Sequence, residues 1–363
     1  MSVSRTVRLM ANAPGMDAIV ITNDGEPFLD SSFWYVTEQN SGCFEDSFAI
    51  IRADGSMDVL VNILEEETAR TGKGNVLVYH DRAELEKYFR ESLKGCHKIG
   101  FNTHSATYGQ VQGILKMAGG VRDVADAGKA IAATEAVKDA REIAAIRRAC
   151  TISSTVAKEL PDYLAEGVSE REVAARMDAR MRELGGTGNA FDTIAAFGPD
   201  SSQPHCMPGD YKLKQGDTAL FDFGTKYDRY CSDMTRTVFL GQPSEQMKRM
   251  YEVVRQAQLA GIDEYHDGAD AASADLAARK LIDASEFKGR FIHSFGHGIG
   301  MDIHQPIYVS PRSQQKLAAG NVVSAEPGVY LPGIGGVRIE DTVLITKDGC
   351  ERLTSFPHEL TVV

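Results

Sequence analysis

Residues 218–240, TALFDFGTKYDRYCSDMTRTVFL, consist of two β-like runs joined by a short polar connection. Each run carries one aspartate, Asp222 or Asp233, among apolar neighbours. If the hairpin turns at Tyr227-Asp228, the two aspartates lie directly opposite each other, with Cβ atoms about 5 Å apart on one face. Like charges in that arrangement are destabilising, so the pattern predicts a cation between them.

The same construction occurs again near the end of the sequence. VVSAEPGVY (322–330) and GVRIEDTVLI (336–345) are β-like runs that flank LPGIG (331–335). If this hairpin is centred on Gly333, Glu326 lies opposite Glu340, unless a bulge shifts the register. Two hairpins with paired carboxylates predict one cluster of four acidic side chains.

Histidines near glycine and proline supply nitrogen donors. His297 and His304 lie in SFGHGIGMDIHQP (294–306), where glycines permit close backbone approach, and His205 lies between two prolines in QPHCMPGD (203–210). We expect His293, in the same segment as His297, to be structural. An oxygen-rich set with one imidazole suits two divalent ions such as Mn²⁺, Co²⁺, Fe²⁺ or Zn²⁺. Two such ions about 3.5–4 Å apart can hold a bridging hydroxide and polarise a carbonyl, so a dinuclear metal hydrolase is predicted.

The composition excludes several other classes of protein. The chain has 363 residues and a net charge of −12, and residues 1–127 and 128–363 are each net −6, with 12 basic against 18 acidic and 27 against 33. Neither half is basic enough for nucleic acid, and no apolar run reaches the roughly 20 residues that a membrane span needs. The six cysteines include no CxxC pair, and no signal-like segment develops near the N-terminus, so we expect a cytoplasmic protein.

The pattern of predicted elements changes along the chain. Residues 1–127 alternate strands and helices, beginning with a strand at 17–23 and a hairpin around residues 53–55, and predict a small α/β domain. Residues 128–363 begin with a long amphipathic helix, apolar from 143 to 164 at spacings of 3–4, and a second helix that starts at the capping box of Ser169 and Glu172. Short β-like runs then dominate, with helices at 244–265 and 271–284, so we predict the α+β class.

Five segments together resemble the pita-bread metallopeptidases, the family of methionine aminopeptidases, aminopeptidase P and prolidase. They are PHCMPGDYKLKQGD, FDFGTKYDRYCSDMTRT, FGHGIGMDIHQP, SAEPGVY and GVRIED, and they occur in the family's order. The resemblance implies a C-terminal pita-bread (creatinase/aminopeptidase) catalytic domain over residues 128–363, preceded by a creatinase/prolidase-like N-terminal domain over residues 1–127. An N-terminal domain of this size resembles that of the Xaa-Pro enzymes, whereas methionine aminopeptidases mostly have no such domain before the catalytic domain.

Carried over by position, the resemblance implies five metal ligands: Asp222, Asp233, His297, Glu326 and Glu340. It places His205 and His304 near the substrate carbonyl and makes Glu326 the acceptor of the proton from the attacking water. It gives Arg338 a part in supporting the site and the substrate end. Gln305 departs from the family, in which many members have glutamate at that position. Because that glutamate is not a ligand, we expect metal binding to survive the change.

The resemblance favours an Xaa-Pro dipeptidase (prolidase) that uses Mn²⁺, with Co²⁺, Zn²⁺ or Fe²⁺ as alternatives. Such enzymes are commonly homodimers that act on small proline-containing peptides. The nearest alternative is an aminopeptidase P, which releases the N-terminal residue from longer peptides. Creatinase-like amidine hydrolysis, which uses this fold without metal, and a non-catalytic binding protein are more distant, because all five ligand positions are retained.

Overall fold

The structure is a computed structural model that describes residues 3–25, 27–120 and 122–363. The chain divides into two compact units, Met1–Glu135 and Ala136–Val363. The sequence predicted a domain boundary after residue 127, and that boundary stays a prediction. Within the described residues, no helix is both long enough and apolar enough to cross a membrane.

The described part of the first unit contains a six-stranded mixed sheet. Its strands are β1 (Ala18–Asn23), β2 (Ser47–Arg52), β3 (Met57–Asn62), β4 (Asn75–Tyr79), β5 (Lys98–Phe101) and β6 (Asp123–Asp126). Its helices are α1 (Arg5–Ala11), α2 (Ser31–Thr37), α3 (Glu66–Ala69), α4 (Arg82–Ser92), α5 (Tyr108–Ala118) and α6 (Gly128–Ala136), with a 3₁₀ turn at Ile63–Glu65. The sheet order is β4-β3-β2-β1-β5-β6, in which β2 is antiparallel to β1 and β3. The predicted first strand and hairpin are confirmed, since β1 is buried throughout and β2 and β3 flank the turn.

The second unit, which is described throughout, contains four α-helices and four small sheets. The helices are α7 (Ala140–Tyr163), α8 (Glu170–Glu183), α9 (Glu245–Ile262) and α10 (Ala271–Asp283), with a 3₁₀ segment at Gly198–Ser202. All four α-helices were predicted, and α8 begins at the capping box of Ser169 and Glu172. The strands are β7 (Gly188–Asn189), β8 (Ile194–Phe197), β9 (Thr218–Phe223), β10 (Thr225–Tyr227), β11 (Tyr230–Cys231), β12 (Met234–Phe239), β13 (Gly296–Gly298), β14 (Gln305–Val309), β15 (Val322–Ala325), β16 (Gly328–Leu331), β17 (Gly335–Arg338), β18 (Asp341–Thr346), β19 (Gly349–Arg352) and β20 (Thr361–Val362).

Two apolar cores hold the main sheets of this unit against its helices. The sheet orders are β20-β12-β9-β8 and β14-β13-β15-β18-β19, with smaller sheets β11-β10-β7 and β16-β17. Met177 of α8 and Phe221 of β9 belong to one core, and Val254 of α9 and Val343 of β18 belong to the other. Burial of such side chains contributes about 1.5–3 kcal/mol each. The first hairpin packs mainly in the core of Met177, although Phe239 of β12 joins the other core, which holds the second hairpin.

The first hairpin is shifted from the predicted register. Asp222 pairs with Thr235, so the predicted direct pairing with Asp233 is wrong. The turn lies at Asp228-Arg229, one residue later than predicted, where both residues have positive φ (47° and 70°), as in a two-residue hairpin turn of type I′. Because the shift moves the partner by two positions, Asp233 stays on the face of Asp222 as its diagonal neighbour.

The second hairpin has the predicted register. β15 pairs with β18 and β16 pairs with β17 in one continuous alignment centred on Gly333, whose φ is 75°. Glu326 and Glu340 lie between these two ladders and therefore opposite each other. The alignment predicted for this pair is confirmed on both sides.

Candidate metal centre

A cavity of about 360 Å³ in the second unit is lined by every side chain that was predicted for the site. Those side chains are Asp222, Asp233, His297, Glu326, Glu340, His205, His304 and Arg338. The aspartates come from β9 and from the residue before β12, the glutamates flank the ladders of the second hairpin, and His297 lies in β13. The volume is within the range of small-molecule sites, about 300–1,000 Å³.

Three of the predicted ligands form the tightest group. The donor atoms of Asp233, His297 and Glu340 lie within 4.8 Å of one another. Nε2 of His297 lies 3.4 Å from Oδ2 of Asp233 and 3.3 Å from Oε1 of Glu326. A further carboxylate therefore stands beside the group. The set offers oxygen donors with one nitrogen, which hard or borderline divalent ions prefer.

The carboxylates are too crowded and too buried to be ionised together without a cation. Burial raises the pKa of Asp233 and Glu340 well above the ordinary range, and the charges of neighbouring carboxylates raise both further. Burial also raises the pKa of Glu326 to about 8, with Arg338 offsetting part of the effect. Two divalent ions would balance four carboxylate charges and restore the ionised forms, so the cluster fits a dinuclear metal site.

His297 presents a neutral imidazole to this group. Burial, followed in weight by the nearby His304, lowers the pKa of His297 to about 4. Nδ1 lies 3.1 Å from the carbonyl oxygen of Gly298, which can only accept, so Nδ1 donates and Nε2 keeps its lone pair. The backbone N–H of His297 donates to Ser324 Oγ over 3.0 Å. A neutral ring with a free Nε2 lone pair suits a metal ligand.

Asp222 has one oxygen engaged and one available. Oδ2 accepts from Nη2 of Arg338 over 2.6 Å. Oδ1 is buried and has no hydrogen-bond partner in the described part of the chain. A buried polar atom left in that state costs about 1–3 kcal/mol. The orphaned oxygen therefore fits a position that a metal ion completes.

Thr235 and Arg338 connect the two hairpins behind the predicted ligands. The Thr235 hydroxyl donates to Oε2 of Glu340 over 2.6 Å and accepts from Nε of Arg338 over 3.1 Å. Arg338 also donates to the Tyr330 hydroxyl over 2.8 Å, in addition to its bond to Asp222. The side chain is 3% exposed, so the guanidinium is committed to supporting the site.

His205 and His304 lie on the exposed side of the cavity. The His304 ring is 4.3 Å from the His297 ring, centroid to centroid, and nearly perpendicular to it at 71°. His205 follows Pro204, whose carbonyl oxygen lies 3.4 Å from Nη2 of Arg338. Both imidazoles therefore border the space that a substrate would enter.

His293 also lines the cavity, although the sequence suggested only a structural role. Nε2 of His293 lies 2.9 Å from the Tyr330 hydroxyl, and Nδ1 lies 4.0 Å from Oε2 of Glu326. Burial lowers the pKa of His293 to about 4, so the ring is neutral at pH 7. His293 lies in the loop before β13, where no strand alternation applies, so no pattern in the sequence singled it out.

Gln305, where the sequence departs from the family pattern, is buried. Its Oε1 accepts from Nζ of Lys138 over 2.5 Å, and its amide group lies against Gly300, where a Cβ atom would come within 2.4 Å of it. The side chain is thus engaged with Lys138. We predicted that metal binding tolerates glutamine at this position, and this stays a prediction.

Comparison with known proteins assigns both parts of the chain. Residues 144–347 match Metallopeptidase family M24, and residues 3–143 match the Creatinase/Prolidase N-terminal domain. Every residue predicted for the site falls within the first match. The predicted fold, a smaller creatinase-type domain followed along the chain by a pita-bread catalytic domain, is confirmed.

Proteins similar to this chain include Xaa-Pro dipeptidases and an X-Pro aminopeptidase. The Xaa-Pro dipeptidase of Pyrococcus horikoshii is 37% identical over 272 residues, covering 75% of this chain and 77% of the relative. The structure of an Xaa-Pro dipeptidase from Bacillus anthracis superposes with a TM-score of 0.91 at 30% identity and covers 99% of each chain. The X-Pro aminopeptidase from Thermotoga maritima superposes with a TM-score of 0.89 at 30% identity, covering 98% of this chain and 99% of that one.

Proposed function

The chain belongs to metallopeptidase family M24, and on that premise we propose that it is an Xaa-Pro dipeptidase (prolidase). The observation that carries the proposal is one cavity of about 360 Å³ in which four carboxylates and a neutral imidazole face two further histidines. The relatives named above supply the substrate class, an Xaa-Pro peptide. A small-molecule cavity suits a dipeptide better than a long chain.

We propose that two divalent ions bind to Asp222, Asp233, His297, Glu326 and Glu340. The crowded carboxylates, the orphaned oxygen of Asp222 and the free lone pair of His297 support this ligand set. When bound, such ions supply a nucleophilic water at neutral pH and polarise the scissile carbonyl. Mn²⁺ is the ion we propose, with Co²⁺, Zn²⁺ or Fe²⁺ as alternatives, because the donors are mainly oxygen.

The side chains around the ligands have separate roles in the proposal. Glu326 accepts a proton from the attacking water and transfers it to the proline nitrogen, which must be protonated to leave as the C–N bond breaks. His205 and His304 stabilise the oxygen on which negative charge develops. Arg338 donates a hydrogen bond to Asp222 and supports the end of the site where the substrate binds. An Xaa-Pro bond has no N–H, and proline fixes φ, so proteases that bind an extended substrate backbone through hydrogen bonds tend to reject it. A site that acts on the carbonyl group does not need that N–H.

Hydrolysis of Ala-Pro and Ala-Pro-Ala by chelator-stripped protein, with and without Mn²⁺, tests the proposal, and Ala-Ala controls for the need for proline. Metal-dependent cleavage of Ala-Pro alone supports the dipeptidase. Equal or faster cleavage of Ala-Pro-Ala supports the second candidate, an aminopeptidase, which the Thermotoga neighbour favours. No cleavage of either peptide by protein that binds Mn²⁺ would overturn both.

The family resemblance also supports a homodimer, and the composition supports a cytoplasmic location. Light scattering at micromolar concentration tests the first proposal, because a dimer doubles the mass of one chain. Fractionation of the source cells tests the second.

A further inference from the structure

One buried carboxylate holds both ends of the loop that carries His205. This loop, residues 198–208 and here called the His205 loop, follows β8. Glu170, the first residue of α8, accepts from the Phe197 N–H through Oε1 over 2.7 Å and from the Gly209 N–H through Oε2 over 2.8 Å. Phe197 precedes the loop and Gly209 follows it. The side chain of Glu170 therefore bridges the two ends of the loop, and at the Gly209 end the Arg171 N–H also donates to the Gly209 carbonyl oxygen over 3.2 Å.

The environment of Glu170 suits this use. The residue is fully buried. Burial raises its pKa, while the N–H groups of Phe197 and Gly209 partly offset that rise by stabilising the ionised form. Its position at the start of α8 also favours negative charge, because the helix dipole is positive there. A carboxylate is tolerated inside a protein only where such donors satisfy it, so the two loop contacts account for its presence.

The middle of the His205 loop is fixed separately, against the second hairpin. Ser201 Oγ accepts from the Gly336 N–H over 2.8 Å, and a Cβ atom on Gly336 would lie 2.2 Å from the Ser201 carbonyl oxygen. The Pro204 carbonyl lies 3.4 Å from Nη2 of Arg338. These contacts place the loop beside the cavity. His205 itself is exposed, so its position follows from the backbone that carries it.

We propose that Glu170 is a positioning residue, which holds the His205 imidazole at the cavity by closing the ends of the His205 loop. The inference rests on the proposed function, because it requires His205 to take part in hydrolysis. Both carboxylate oxygens of Glu170 are engaged by backbone N–H groups, so its effect on the reaction passes through the loop.

Glu170→Gln tests the proposal, because the amide keeps the size but turns an N–H toward one of the two backbone donors. We expect kcat/KM for Ala-Pro to fall about tenfold, as for other changes behind reacting groups. Mn²⁺ affinity by calorimetry should stay within about twofold of the wild type. Amide hydrogen exchange should accelerate in the His205 loop. Glu170→Asp, which keeps the charge but is too short to reach both donors, gives the same readouts if Gln impairs folding.

Glu172→Gln is the matched control. Glu172 lies two residues further along α8 and accepts from the Ser169 N–H over 2.8 Å, so its loss weakens the helix cap without touching the loop. We expect it to leave kcat/KM and loop exchange unchanged. A similar loss in Glu172→Gln would overturn the proposal, because the effect would then come from α8 as a whole.

A double-mutant cycle separates positioning from general damage. In a His205→Ala background, Glu170→Gln should cost less than about twofold, because the residue that it positions is gone. A tenfold cost in both backgrounds would overturn the proposal, and so would unchanged loop exchange in Glu170→Gln. If the wild type cleaves no Xaa-Pro peptide while loop exchange still accelerates in the variant, the proposed function fails and the loop closure is supported.

Discussion

The hydroxyl of Thr235 donates a 2.6 Å hydrogen bond to Oε2 of Glu340. Thr235 belongs to the first hairpin and Glu340 to the second, and 105 positions separate them along the chain. The bond therefore joins the two hairpins that carry the four carboxylates. It also orients Glu340, because the same hydroxyl is held in place by the hydrogen bond that it accepts from Nε of Arg338 over 3.1 Å.

Thr235→Val should weaken metal binding more than it weakens the fold. Valine has nearly the same shape but cannot donate to Glu340, so the orientation of that carboxylate is lost. We expect Mn²⁺ affinity to fall about 10–100-fold. Loss of the buried bond should lower the free energy of unfolding of the metal-free protein by about 1–3 kcal/mol. Titration calorimetry and urea unfolding measure the two effects.

Thr237→Val is the control for that change. Thr237 lies on the same strand and is equally buried, but its hydroxyl bonds to the backbone of Arg338. A comparable loss of stability with metal affinity nearly unchanged is expected. Equal losses of affinity in the two variants would contradict a specific role for Thr235.

Asp233→Asn should abolish metal binding and activity while leaving a folded protein. Burial raises the pKa of Asp233 in the metal-free protein, and a neutral amide replaces that buried carboxyl without a desolvation cost, so the metal-free variant should be at least as stable as the metal-free wild type. Activity with added Mn²⁺ should fall by more than the 10–100-fold typical of changes outside the ligand set. Asp228→Asn, the same change at a hairpin turn that favours Asn, is the control. Full activity of Asp233→Asn would refute the ligand assignment.

The metal-free protein should lose stability as the pH rises from 7.0 to 8.0. Burial raises the pKa of Glu326 to about 8, whereas its unfolded value is about 4.3. A carboxyl group with a raised folded pKa contributes stability below the unfolded value and loses it as the pH rises through the folded value. Each carboxyl that remains protonated in the folded state lowers the free energy of unfolding by about 1.4 kcal/mol per pH unit. Urea unfolding in EDTA measures the slope.

The interval from pH 7.0 to 8.0 was chosen because the histidines and cysteines with shifted pKa values affect stability mainly outside it. Histidines with lowered pKa, such as His293 and His297, affect stability mainly below about pH 6.5, and buried cysteines mainly above about pH 8.5. Glu326→Gln should make the slope shallower, and saturating Mn²⁺ should remove it. The same slope in the variant and the wild type would show that Glu326 does not carry the effect.

Gly224→Ala should damage both the fold and the site. Gly224 lies opposite Asp233 in the first hairpin, and a Cβ atom there would come within 2.0 Å of the Ser232 carbonyl oxygen. We expect a loss of about 1–3 kcal/mol in the free energy of unfolding and weaker Mn²⁺ binding, because the backbone at Asp233 must move. Gly188→Ala, on a neighbouring strand with nothing within 4 Å of the added atom, should leave both nearly unchanged.

The two hairpins show what the sequence could and could not predict. The second has Gly333 at its centre, a residue suited to positive φ, so the turn and the register could both be located. The first turns at Asp228-Arg229, where an arginine adopts positive φ at 70° and no glycine marks the turn. The predicted centre was therefore one residue early. The prediction that Asp222 and Asp233 lie on the same face of the hairpin was still correct, because side chains alternate with period two.

Site prediction had a similar limit. The residues that converge on the cavity were found because acidic pairs in apolar strands require an explanation. His293 carries no such signal, since a histidine in a loop is common, and its approach to Glu326 depends on how the chain folds between α10 and β13. Glu170 was invisible for the same reason. Its two partners, Phe197 and Gly209, are distant in sequence and are recognised through backbone groups that every residue has.

The bond between Thr235 and Glu340 also bears on how this protein reaches its native state. Each hairpin brings its own two carboxylates together through local contacts, which form early. The complete set exists only after the hairpins dock across 105 positions, a step that must first overcome loop-closure entropy. Metal uptake during refolding should therefore lag behind strand formation and report the rate of that final docking step.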